Sequence, residues 1–92
     1  MDTQSNIEIN SQTIIMLLPP IDNHTETVEV AYWLKKNGSH VQKDEPLCEI
    51  ETEEFSFELS ASDSGILKIV AENGTTIKIG DIVCEIILES KE

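Results

Sequence analysis

The 92-residue chain contains no arginine, and only six lysines stand against 18 carboxylates, for a net charge of −12. That balance excludes a nucleic-acid binder and is repelled by an anionic membrane surface, so any macromolecular partner is expected to present a basic surface. No apolar stretch approaches the roughly 18 residues of a membrane span, and no signal-peptide pattern opens the chain; the expectation is a soluble, cytoplasmic protein. Cysteine is scarce: Cys48 and Cys84 lie in apolar strand patterns and are expected as reduced core residues, not as a disulfide. Their spacing from His24 and His40 matches no zinc motif, so no metal is expected. Helical periodicity is missing throughout. With aromatics at 4% of residues, the single tryptophan, Trp33, is the natural anchor of a small core.

What is present is one well-marked hairpin. Leu47 to Ser60 reads LCEIETEEFSFELS, two alternating runs on either side of Glu53-Glu54. Folding it about that pair sets Thr52 against Phe55, Ile50 against Phe57 and Cys48 against Leu59 on a largely apolar face. Glu51 then meets Ser56, and Glu49 meets Glu58, on the other. A one-residue slip would turn the apolar set to solvent, so the register is well specified. A type I turn over Thr52–Phe55 accepts the two glutamates. Between Asp44 and Leu67 the chain has eight carboxylates and no lysine. Such a run is ordinarily a solvated face; the sharper alternative is that the tip is a site.

Residues 1–12 are polar and read as a flexible tail, and residues 13–89 read as one domain. Expected strands run over Thr13–Leu18, Thr27–Leu34, His40–Val41, the hairpin, Gly65–Ala71, around Ile77, and Ile82–Leu88. Turns are marked by Pro19-Pro20, Asn37-Gly38, Asn73-Gly74 and Gly80-Asp81. In the 22–26 loop, His24 reads as a solvated residue with no nucleophile beside it. A shift of 36 residues overlays Val30–Ile50 on Ile66–Ile86, matching Asn37-Gly38 with Asn73-Gly74 and Cys48-Glu49-Ile50 with Cys84-Glu85-Ile86. Two copies of one strand-turn-strand unit predict an all-β sandwich or flattened barrel with quasi-two-fold symmetry.

The run Val30–Gly38, then Val41, Pro46-Leu47 and Glu49-Ile50-Glu51-Thr52-Glu53, followed by Ser64–Leu67, Asn73-Gly74 and Gly80-Asp81, resembles the lipoyl domains of 2-oxo acid dehydrogenase acyltransferases. The resemblance spans about residues 13 to 88. It implies the biotinyl/lipoyl fold of two four-stranded antiparallel sheets, and a carrier domain in place of an enzyme. Biotinyl domains set the modified lysine between methionines, and Met1 and Met16 are far from the hairpin, so the lipoyl type is the better match. At the position of the modified lysine stands Glu54, and Phe55 replaces the alanine that follows. The site residues implied are therefore Glu54 and its neighbours Thr52, Glu53 and Phe55, with no cofactor expected on this chain. Phe55 either caps one end of the core or, exposed among carboxylates, serves as a docking anchor. Two functions follow: a lipoyl-type carrier domain that cannot be lipoylated, or a cofactor-free module whose acidic hairpin docks a basic partner. Expected partners are components of a 2-oxo acid dehydrogenase complex, with the domain itself monomeric.

Overall fold

The computed structural model describes residues 12–88 as eight strands. They are β1 (Gln12–Leu17), β2 (Thr27–Trp33), β3 (His40–Val41), β4 (Pro46–Glu51), β5 (Ser56–Ser60), β6 (Gly65–Ile69), β7 (Thr76–Lys78) and β8 (Ile82–Leu88). They form two four-stranded antiparallel sheets, in the orders β1-β8-β6-β3 and β5-β4-β2-β7. The predicted fold class is the observed one. Strand ends differ from the sequence reading by a residue or two. Gln12 is the first residue of β1, while the rest of the expected tail, and Glu89, lie outside the described residues.

The repeat is visible in the hydrogen bonds, and it interlocks the two halves. Asn73 of the second turn accepts the Trp33 N–H at 2.8 Å, and Asn37 of the first accepts the Ile69 N–H at 2.7 Å. Each asparagine thus satisfies a backbone donor in the other half that the sheet ladder leaves open. Farther along, Glu45 accepts from Gln42 N and Asp81 from Lys78 N, at 2.8 and 2.9 Å. Ala61 N donates to Glu45 O, and Leu18 N to Asp81 O, both at 2.9 Å. β1 is therefore the counterpart of β5, and the open β1–β8 end, where Gln12 pairs with Leu88, is the counterpart of the hairpin tip.

The sandwich interior is apolar; no polar or charged residue is buried among the described residues. Strict alternation would turn either Leu47 or Cys48 outward, yet both are fully buried, as are Val83 and Cys84. A β-bulge at the start of β4 sets Pro46 opposite Ser60 but Cys48 opposite Leu59, and β8 has the matching irregularity against Met16 and Leu17. The inserted residue lets two neighbours point inward. A third bulge corrects the sequence overlay. Val30 pairs with Ile50 and Tyr32 with Glu49, leaving Ala31 as an extra residue of β2. The structural counterpart of Val30 is therefore Leu67, not Ile66: Gly74 N donates to Val30 O just as Gly38 N donates to Leu67 O. Trp33 packs half-buried against this core, and its Nε1–H donates to Ala71 O at 2.7 Å.

Candidate functional site

The β4–β5 hairpin has the register its pattern predicts, with Glu51 opposite Ser56, Ile50 opposite Phe57, Glu49 opposite Glu58 and Cys48 opposite Leu59. Thr52 N donates to Phe55 O at 2.8 Å and closes the pairing. The turn is held by the Thr52 hydroxyl. Its Oγ1 accepts the N–H groups of Glu54 and Phe55, each at 3.1 Å, and lies 3.1 Å from Phe55 O as donor. A serine or threonine side chain here does the work of a turn carbonyl, which is why the tip needs no glycine. Glu53 and Glu54 keep negative φ, and both project into solvent.

Of the two roles open to Phe55, core cap or exposed ring, the structure shows the exposed one. The ring is 43% exposed and rests tilted on Phe57, with centroids 6.1 Å apart. Phe57 takes the core contact in its place. The reason is position: Phe55 lies beyond the last ladder pair, where the opposite sheet no longer covers it.

The 22–26 loop folds against this tip. Asp22 Oδ1 accepts the N–H groups of His24 and Thr25 at 3.0 and 2.6 Å, and Oδ2 accepts the Thr25 hydroxyl at 2.9 Å. These bonds, the Thr25 hydroxyl foremost, hold the Asp22 carboxyl below its usual pKa. His24 is solvent-exposed as expected, but it is not isolated. Its Nε2 lies 3.9 Å from Glu54 Oε1 and 4.0 Å from Asp22 Oδ2. Residues 24–27 and 52–54 enclose an open cleft of about 260 Å³ with no lysine in its lining.

The acidic surface extends beyond the tip. β2 pairs with β4 so that Glu29 stands opposite Glu51, one row from the Glu49–Glu58 pair. Exposed Tyr32 sits opposite Glu49, its hydroxyl 3.5 Å from the carboxylate. The Glu29–Glu51 pair and the His24 contact depend on pairings between distant segments, and no local sequence signal announces them. Elsewhere the cysteines behave as core residues: burial pushes the Cys48 thiol up to about 12 and the Cys84 thiol to about 11.

A lipoyl group is attached through a lysine amine, and the tip offers none. Glu54 carries a carboxylate there. Lys43 belongs to the β3–β4 turn, where its N–H donates to Ser64 Oγ at 2.8 Å, and Lys68 lies in the other sheet opposite Glu85. Residues 52–55 at the tip thus carry a hydroxyl, two carboxylates and an aromatic ring, and no amine side chain.

Comparison with known proteins places the fold in a family. The family model described as "Biotin-requiring enzyme" matches residues 16–86. The pyruvate dehydrogenase protein X component of mouse mitochondria is 34% identical over 86 residues, covering 91% of this chain and 17% of that protein. The dihydrolipoyllysine-residue succinyltransferase component of the 2-oxoglutarate dehydrogenase complex of Escherichia coli K12 is 41% identical over 66 residues, covering 71% of this chain and 16% of its own length. The chain thus spans about a sixth of the length of these curated relatives. The solution structure of the lipoyl domain of the Azotobacter vinelandii 2-oxoglutarate dehydrogenase complex superposes with a TM-score of 0.67 at 29% identity, covering 85% of this chain and 99% of that one. With its two interlocked four-stranded sheets and its match over residues 16–86, the chain belongs to the biotin/lipoyl attachment family, as a domain of the lipoyl type.

Proposed function

We propose that this chain is a lipoyl-type domain of a 2-oxo acid dehydrogenase complex component that is not lipoylated, and that it serves the complex by docking instead of by carrying acyl groups. The observation that carries the reading is Glu54 at the exposed hairpin tip, with no amine lining the adjoining cleft. Lipoylation forms an amide between a carboxyl group and a lysine ε-amine, and a glutamate carboxylate cannot act as that amine. The docking role is supported by the acidic surface that joins the tip to Glu29, Glu49, Glu51 and Glu58, with Tyr32 and Phe55 exposed beside it. A lysine- or arginine-rich partner surface complements it, and such docking weakens with salt.

The deciding experiment incubates the wild type and Glu54→Lys with lipoate ligase, ATP and lipoic acid, and then weighs the intact proteins. The wild type gains no mass and the variant gains one lipoyl group. If Glu54→Lys fails but Glu54→Lys with Phe55→Ala succeeds, the ring of Phe55 obstructs the ligase and the assignment stands. Modification of the wild type, or failure of a correctly folded double variant, overturns it.

A further inference from the structure

The tip gains a donor set that the lipoyl family resemblance does not call for. Asp22, His24 and Glu54 converge so that one ligand atom of each lies within 4.8 Å of the others. We propose that these three side chains form a binding site for a divalent transition-metal cation of the Zn2+ type.

The chemistry of the set favours such an ion. One imidazole nitrogen and two carboxylate oxygens suit a borderline cation at about 2.0–2.2 Å from each ligand. Ligands around a tetrahedral ion at those lengths stand roughly 3.3–3.6 Å apart, so the 3.9 and 4.0 Å separations from His24 close by about half an ångström, and the widest separation in the set, within 4.8 Å, by at most about 1.5 Å. Rotation of two exposed side chains supplies that movement. Asp22 is already oriented by the N–H groups of His24 and Thr25 and by the Thr25 hydroxyl, an arrangement that fixes a ligating carboxylate. Its Oδ2 keeps lone-pair capacity beyond the Thr25 bond. Charge points the same way. Glu26 and Glu53 line the adjoining cleft while no lysine does, so His24 is the one basic side chain in a lining that gathers several carboxylates. The open cleft leaves the remaining coordination positions to water.

The three residues come from two distant segments, so a bound cation would tie the 22–26 loop to the hairpin tip. This site depends on Asp22, His24 and Glu54 alone, and it stands or falls apart from the lipoylation reading.

The test is a ZnCl2 titration of the 15N-labelled protein near pH 7, followed by backbone amide and imidazole shifts. A saturable one-to-one response centred on His24, Thr25 and Glu54 is expected. Asp22→Asn, which keeps the loop's hydrogen-bond acceptor, Glu54→Gln and His24→Ala should each weaken binding at least about tenfold, the lower end of what disturbing even an outer-shell partner does. Glu72→Gln, at the β6–β7 turn, should bind like the wild type. Undiminished binding in His24→Ala overturns the site. So do shifts spread evenly over Glu29, Glu49, Glu51 and Glu58, which would mean a diffuse counter-ion cloud, and so does the absence of any response at millimolar zinc.

Discussion

Gly65→Ala is expected to destabilise the domain more than any other glycine substitution, for a reason that its backbone angles do not reveal. A Cβ on Gly65 would sit 2.4 Å from Ile87 O, 2.9 Å from Ile86 Cγ2 and 3.0 Å from Ile87 C. Favourable contact begins near 3.5 Å, so the Ile87 carbonyl must retreat by about 1 Å. That carbonyl belongs to β8, the strand between β1 and β6, and Ile87 pairs with Thr13 on one side and Ile66 on the other. Moving it strains both ladders, and the buried Ile86 side chain has no free space to take up. Overpacking of this kind costs about 1–3 kcal/mol, and weakened ladder bonds add to it. The lower unfolded-state entropy of alanine offsets about 0.4–1 kcal/mol. The net loss is about 2–3 kcal/mol, which in a domain of this size lowers Tm by roughly 10–20 °C. Urea unfolding followed by Trp33 fluorescence measures it. Gly38→Ala is the comparator: its Cβ meets nothing within 4 Å, so only the φ of +89° opposes it, at a cost of about 1 kcal/mol or somewhat more. A Gly65→Ala variant within about 0.5 kcal/mol of wild type, a difference typical of neutral surface changes, would refute the reasoning. A Gly38→Ala loss larger than the Gly65→Ala loss would refute it too.

Asp44 has φ of +75° at the position where the second repeat places Gly80, φ +94°. Asp44→Gly removes left-handed strain of about 1–2 kcal/mol, less the 0.5–1 kcal/mol of extra chain entropy that glycine loses on folding, so a higher urea midpoint is expected and a lower one would contradict the symmetry argument. Glu58→Lys converts the Glu49–Glu58 cross-strand pair from repulsion to attraction and should add about 0.5–1 kcal/mol in low salt, with the gain shrinking as NaCl rises; a salt-independent change would exclude the electrostatic cause. The thiols set an alkaline limit. Their folded pKa values, about 12 and about 11, lie above the unfolded value of 9.0, so the folded state retains protons that the unfolded chain releases. The stability this represents is intact below pH 9 and is lost as pH rises toward those folded values, at about 1.4 kcal/mol per pH unit per thiol. Cys48→Ala should flatten the decline measured by unfolding at successive pH values, and an unchanged slope would mean that the thiol is not the cause.

The hairpin register, the two turns and the 36-residue repeat were legible in the sequence because each rests on local chemistry. Alternation at Leu47–Ser60 allows one register that buries Ile50 and Leu59, and Asn-Gly at 37–38 and 73–74 supplies the positive φ those turns use. Residue type at position 54 likewise needs no coordinates. The bulges were not legible, because an inserted residue reveals itself only through its partner strand. For that reason Val30 aligned with Ile66 by count, whereas the sheet pairs it as the counterpart of Leu67. Tertiary structure alone decided what surrounds the tip. The pairing of β2 with β4 set Glu29 against Glu51, and the end of the opposite sheet left Phe55 uncovered. The fold of the 22–26 loop carried Asp22 and His24 to Glu54, some 30 residues along the chain. Local propensity acts over a few residues and determines strands and turns, whereas a site assembled from distant segments exists only once both sheets have closed around one core.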